Sequence, residues 1–295
     1  MLGISLIEEC IRNGTHVLAI VRPSSPRRDR LPASSLVRIA ECDLSKLDSL
    51  FEFDEKYDVF YHFGWKGTDK TDRYNPSVQL ENVKYTLDAV RLAGRLGCGM
   101  FVGAGSQAEY GRVSCKLSPK TPVDPDNAYG IAKYAAFKLS FLLARELLMT
   151  HIWTRVLSVY GPFDGENTMI MSGIRQMLSG LHPKYTKGEQ LWDYLYCGDA
   201  AKAFYLIGEK AKSNALYCLG SGTARPLCEY IRIMRDAVDP SLAIGLGELE
   251  YQENQVMCLC ADIGNLTDDT GFVPQTDFRS GIEKTIKWVR ESKNK

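Results

Sequence analysis

The chain has 295 residues, 45% of them hydrophobic, so it can bury a substantial core and is not a disordered polypeptide. Its 36 basic residues cancel its 36 acidic ones, which argues against a dedicated nucleic-acid binder. No apolar run reaches the ~18–20 residues that span a bilayer, and Glu8 and Glu9 interrupt the stretch a secretion signal needs, so neither a membrane span nor export is expected.

In chain order, Leu6, Ile7, Cys10 and Ile11 form an apolar helical stripe that stops at Asn13 and Gly14. His16 to Val21 reads as a strand, Leu36 to Ala40 as a short strand followed by Asp43, and Asp58 to Phe63 as another. Asn75 to Gly97 is a long helix with Val78, Val83, Leu87, Val90 and Leu96 near one side. Gly99 to Gly103 is a strand, Asp126 to Met149 a helix introduced by Pro125, and Ile152 to Leu157 a strand again. Apolar strands of four to six residues between helices mean a parallel sheet covered on both faces, an α/β doubly wound (Rossmann-type) fold. The pattern places a dinucleotide-binding domain at 1–160, to which 191–219 returns, and a smaller C-terminal substrate lobe at 161–190 and 220–295. The nine cysteines, an odd number with no CxxC pair, fit reduced thiols of a cytoplasmic protein and not a zinc site; no metal is expected.

Tyr129 and Lys133 stand four residues apart, on one face of a helix. A phenol titrates near ~10, too high for easy proton exchange at neutral pH, and a neighbouring ammonium or an oxidised nicotinamide favours the phenolate. Tyr129 can then act as general acid or base on an alcohol or carbonyl undergoing hydride transfer. Ser106 closes the preceding strand, where its hydroxyl can hold the reacting oxygen. The spacing alone also arises from a packing Tyr and a solvent-facing Lys; the strand–Ser–helix order is what gives it weight.

These residues resemble an extended short-chain dehydrogenase/reductase of the NAD-dependent nucleotide-sugar epimerase/dehydratase group. The resemblance runs over nearly the whole chain. It rests on Ser106 four before Tyr110 and Gly111, on Tyr129 with Lys133, on Arg155 to Pro162, on Trp192 to Phe204, and on Gly271 to Pro274 with Gly281 to Thr285. It implies that Ser106, Tyr129 and Lys133 are catalytic, and that Lys133 also holds the nicotinamide ribose. It further implies that Asp43 and Leu44 meet the adenine, that Phe63, Gly64 and Trp65 line the cofactor cleft with Asn82 behind, and that Val156 and Leu157 touch the cofactor.

Three departures qualify the resemblance. The family opens with a strand and a Gly-x-x-Gly-x-x-Gly loop whose backbone N–H groups approach the pyrophosphate. Here Gly3 matches only the third glycine, so the first strand and part of the loop are missing; a shortened reading frame is expected, since the downstream chemistry is intact. The acid that often ends the second strand in NAD-preferring members is replaced near Arg22 by a stretch with Ser24, Arg27 and Arg28, which suits the 2′-phosphate of NADP, although a solvated basic loop reads equally well. The two arginines that grip a nucleoside diphosphate appear as Trp192 and about Gln252, and the usual Asn as Ser158. Arg175, Lys184, Lys187, Arg225 or Arg279 then takes over, or the sugar nucleotide is not the common uridine type; Trp192 can stack on a ring or simply fill the lobe interface.

Sugar 4,6-dehydratases carry Asp-Glu after the catalytic hydroxyl residue. Here Gln107 and Ala108 follow Ser106, and Glu109 comes one place too late, so elimination is disfavoured. Epimerisation or reduction of a 4-keto sugar remains, with Gln107, Ser158 and Trp192 at the substrate. A non-catalytic binding relative and a reductase of a small non-sugar carbonyl are the rival readings. A homodimer through the helices Asn75–Gly97 and Asp126–Met149 is expected, with Phe137, Phe141, Leu142 and Ala144 as its apolar stripe.

Overall fold

The structure is a computed structural model that describes all residues except 51–54, 70, 114–115, 254 and 293–295; Cys115, one of the nine cysteines, lies outside the described residues. The first half alternates helix and strand: α1 (Leu2–Arg12), β1 (Val17–Val21), β2 (Val37–Glu41), β3 (Val59–His62), α2 (Pro76–Arg95), β4 (Met100–Ser106), α3 (Ala128–Glu146) and β5 (Thr150–Val156). There follow β6 (Ser158–Tyr160), α4 (Met169–Leu178), β7 (Lys184–Tyr185), β8 (Leu191–Trp192), β9 (Tyr194–Tyr196), α5 (Cys197–Lys210) and β10 (Leu216–Leu219). The chain ends with β11 (Arg225–Pro226), α6 (Leu227–Val238), β12 (Gly245–Leu246), β13 (Cys258–Leu259), α7 (Gly264–Thr270) and α8 (Phe278–Ser292).

Local chemistry sets the helix ends. Asn75 caps α2 by accepting from Ser77 and Val78 N–H, with Pro76 at the first helical position where no N–H is needed. Asn127 caps α3 by accepting from Gly130 N–H. The α1 helix ends at Asn13 as its sequence signals, and Gly14 takes a φ of +69° that a side chain disfavours.

β10, β5, β4 and β3 form one parallel sheet in that order. Because strand side chains alternate, neighbours on β4 enter different cores. Val102 joins Leu6, Ile152, Phe204 and Tyr217 under α1 and α5, whereas Phe101 joins Ala89, Leu92 and Ala144 under α2 and α3. This is the doubly wound α/β arrangement the alternation predicts. A third core, with Tyr160, Ile174, Met234 and Ile286, gathers α4, α6 and α8.

The sheet is interrupted. β1 and β2 pair in parallel as a separate ribbon, and among the described residues no strand pairs with the other edge of β1 or with the outer edge of β3. Between those two parallel edges lies a cavity of about 960 Å³, lined by β1, β3 and the inner face of α1, including Gly3, Leu6, Ile7 and Cys10.

One expectation is corrected. Phe137 and Phe141 pack inward against the His151 ring, Phe137 also against Trp153, and Ala144 is fully buried, so these three do not form an outer stripe. The outer face of α3 carries Ile131, Leu139 and Leu142 instead. Alternating aromatic and aliphatic residues on a long helix cannot show by themselves which stripe faces the sheet.

Candidate active site

The site begins at the carboxyl end of β4. Gly103 and Gly105 sit there because the Trp153 indole of β5 lies across the strand: a Cβ on Gly103 would come within 2.2 Å of Trp153 Cζ3, and one on Gly105 within 2.2 Å of Trp153 Nε1. Glu109 locks the turn that follows. Its carboxylate accepts from Ser106 N–H at 2.9 Å, from Trp153 Nε1–H at 3.0 Å and from Arg155 Nε–H at 2.9 Å, in an ion pair wholly out of contact with water. Ser106 in turn accepts from Ala108 N–H, completing a capping box.

α3 is pressed against this turn. A Cβ on Gly130 would lie 2.3 Å from the Ala108 carbonyl oxygen, so only glycine lets the helix start so close. That contact brings Tyr129, its neighbour, up to Ser106, whose hydroxyl favours the phenolate. Burial raises the Tyr129 pKa, the Ser106 hydroxyl and the charge of Arg73 lower it, Glu109 raises it, and the net shift is upward.

Lys133, one turn further along α3, is almost fully buried. It donates to the Ala104 carbonyl at 2.6 Å, and its Nζ stands 3.6 Å from the centre of the Trp65 ring and 5.8 Å from that of Tyr129. Burial pushes its pKa down to about 7, opposed by Glu109. The lysine is thus held within the constellation, but the cation on the face of the phenol ring is Arg73, 4.2 Å from its centre. Sequence reasoning missed Arg73: it lies fifty-six positions from Tyr129, and no local spacing marks it.

The Lys133 shift carries a stability prediction. Between about pH 7 and the unfolded value of 10.5 the unfolded chain holds a proton that folded Lys133 has lost, so stability must rise with pH across that window, by up to ~1.4 kcal/mol per unit. Below pH 7 both forms are protonated and this term is flat. Urea melts at pH 7 and 9 should show the rise in the wild type and a smaller one in Lys133→Met; equal slopes in the two proteins would contradict the burial of an uncompensated ammonium.

The loop after β3 forms the wall opposite Tyr129. Asn82 on α2 accepts from Lys66 N–H at 2.7 Å and donates to the Lys66 carbonyl at 2.9 Å, and Gln79 accepts from Trp65 Nε1–H at 2.8 Å. Trp65 meets Tyr129 edge-on at 5.9 Å. Phe63 packs on Phe204 rather than standing free, and Gly64 admits Leu44, whose Cδ2 would lie 2.6 Å from a Cβ there. Gly3 lies in the first turn of α1, where a Cβ would be 3.8 Å from Phe63. Asp43 caps the short helix after β2 through Ser45, which with Arg22 holds its carboxyl below the usual range. Arg28 is engaged by Glu41 at 2.6 Å.

A second group faces the C-terminal lobe. Trp192 donates to Ser158 Oγ at 2.8 Å, and Arg225 is its direct cross-strand partner. Val156 is in register with Ser106, Leu157 is tied to β10 through the Leu219 carbonyl, and Gln107 opens the turn after Ser106. The geometry brings Ser106, Tyr129, Lys133, Trp65 and Arg73 together. Arg22 and Asp43 stand apart at the end of the β1–β2 ribbon, and Ser158 with Trp192 at the lobe.

Known proteins share this fold. A dTDP-glucose 4,6-dehydratase of Escherichia coli is 26% identical over 188 residues, 60% of this chain and 52% of that protein, so the match spans about half of the relative's length. A UDP-N-acetylglucosamine 4-epimerase from Methanobrevibacter ruminantium, solved with UDP-N-acetylmuramic acid, superposes with a TM-score of 0.88 at 20% identity, over 99% of this chain and 96% of that one. RMD from Pseudomonas aeruginosa, solved with NADPH, superposes with a TM-score of 0.80 at 20% identity, over 94% and 100%. At these identities the superpositions establish the fold. A family model matches residues 1–220, and the chain belongs to the NAD dependent epimerase/dehydratase family.

Proposed function

We propose that the protein is an NAD(P)-dependent nucleotide-sugar epimerase or 4-ketoreductase. The observation that carries this reading is the placement of Tyr129 beside Ser106 at the end of β4, with Lys133 buried one helical turn away. Ser106 holds the sugar oxygen, and Tyr129 gives or takes its proton. The chemistry a nicotinamide dinucleotide supplies when bound is reversible hydride acceptance at the same sugar carbon. Lys133 fits its ribose, since the ammonium has three donors and among the described residues one hydrogen bond, to Ala104, engages it. Leu44, Gly64, Val156 and Leu157 would line its path, and Gly3 the approach to the pyrophosphate. Arg22 beside Asp43 favours NADP over NAD.

Dehydration is disfavoured on the same geometry. Glu109, the nearest carboxylate in sequence, spends its oxygens on Ser106, Trp153 and Arg155 inside the core, and Gln107 cannot donate or accept a proton as an acid does. Gln107, Ser158 and Trp192 are assigned to the substrate, with Arg225 beside Trp192 as the cation for its diphosphate. The Ile131, Leu139 and Leu142 face of α3 is assigned to a homodimer contact.

A second reading, a binding relative without turnover, is favoured by the open cavity between β1 and β3. Fluorescence titration with NADH and NADPH, together with melting curves in a panel of nucleotide sugars and free sugars, separates the two. The enzyme reading expects dinucleotide binding, tighter for NADPH, and a rise in melting temperature with at least one nucleotide sugar but with no free sugar. No response to any dinucleotide would contradict it.

A further inference from the structure

We propose that Arg73 is a positioning residue for the proton transfer: its guanidinium, held against the face of the Tyr129 ring, stabilises the phenolate and takes the electrostatic part that Lys133 is expected to play. The inference rests on the reading of Tyr129 as the acid/base.

Arg73 belongs to a short turn, Asp72–Tyr74, that leads into α2. The turn is fixed on both sides. Asp69 accepts from Thr71 and Asp72 N–H, and its own carbonyl accepts from Arg73 N–H at 3.0 Å. From α2, buried Gln79 donates to the Gly67 and Asp72 carbonyls at 2.7 and 3.0 Å. A guanidinium on so constrained a segment loses little freedom by resting on an aromatic face. At 4.2 Å from the ring centre it is inside cation–π range.

Among the described residues no carboxylate lies within ion-pair distance of Arg73. Its charge is therefore not cancelled locally. The other groups facing Tyr129 do not supply what Arg73 does. Ser106 offers a neutral hydroxyl, and Glu109, behind the end of β4, opposes ionisation. Trp65 closes one side with an uncharged edge. Lys133 is turned to the Ala104 carbonyl and the Trp65 face, and its pKa near 7 leaves it only partly charged at neutral pH. A guanidinium keeps its charge at every working pH.

The test reads the phenol itself, without cofactor or substrate. A fluorotyrosine in place of Tyr129 lowers the intrinsic phenol pKa and gives a single fluorine resonance to follow by NMR against pH. Measured in this protein and with Arg73→Gln or Arg73→Lys added, the midpoint should rise by about one pH unit for Gln and return at least halfway for Lys, as loss and restoration of a nearby positive charge require. A midpoint unchanged in Arg73→Gln overturns the proposal. So does one that Lys fails to restore, because the guanidinium would then act by shape alone. Where turnover is measurable, the pH profile of kcat/KM in the unlabelled variants should move with the midpoint. Absence of turnover in the wild type would overturn the enzyme reading and leave the titration free to judge Arg73.

Discussion

Replacing Tyr129 with phenylalanine is expected to lower turnover by roughly 10²–10⁴-fold, the usual contribution of a positioned general acid or base. The fold should survive. The ring remains to meet Trp65 and Arg73, and only the hydroxyl beside Ser106 is removed. The loss in stability should therefore be about 1 kcal/mol. Steady-state rates beside urea melts check both halves. A variant that turns over at the wild-type rate would remove Tyr129 from the chemistry. One that melts far lower would make its loss of activity uninformative, and Ser106→Ala, expected to fall in rate in the same direction, then becomes the control.

The second large effect concerns the interrupted sheet. Five β-branched apolar residues and a glycine-containing turn, fused ahead of Met1, are expected to enter the cavity between β1 and β3 and pair with both. The direction is set by the edges, since β1 and β3 lie in parallel pairs and a strand leading into α1 runs the same way with a right-handed crossover. Each buried side chain is worth about 2 kcal/mol and each new residue costs about 1.5 kcal/mol in backbone freedom, with the ladder bonds adding to the favourable side. A net gain of about 2–5 kcal/mol follows, seen as a melting temperature higher by roughly 5–10 °C. Dinucleotide affinity should rise with it, since the turn supplies backbone N–H groups at the start of α1. Amide exchange offers an independent reading: protection of Val17–Val21 and Val59–His62 should increase in the fused chain. An unchanged melting temperature with unchanged exchange would mean that the cavity does not accept a strand.

Much of this was legible in the sequence, for identifiable reasons. The strands around Val102 and Ile152 stand out because continuous apolar runs bounded by polar turns have few alternatives, and α1, α2 and α3 carry recognisable stops and caps at Asn13, Asn75 and Asn127. The Tyr129–Lys133 face follows from helix periodicity alone. What periodicity does not reach is contact across the chain. Nothing local explains Gly103, Gly105 and Gly130; Trp153 and the Ala108 carbonyl are what demand them. The aromatic stripe of α3 reads as a surface and proves to be packed, half-buried, against the sheet, because nothing local tells that His151 and Trp153 wait beneath it. Arg73 belongs to the same class of blind spot, as does the sequestration of the Lys133 ammonium under Trp65.

The most direct test of the central claim is isotopic. Nucleotide sugars deuterated at C4, incubated with the protein and excess oxidised dinucleotide, should either give up their label to the dinucleotide, as a ketoreductase run in reverse requires, or be epimerised with the label returned to C4, as mass spectrometry can show, and Tyr129→Phe should abolish both. Sugar converted with its deuterium lost to water, and none on the dinucleotide, would contradict hydride chemistry at this site.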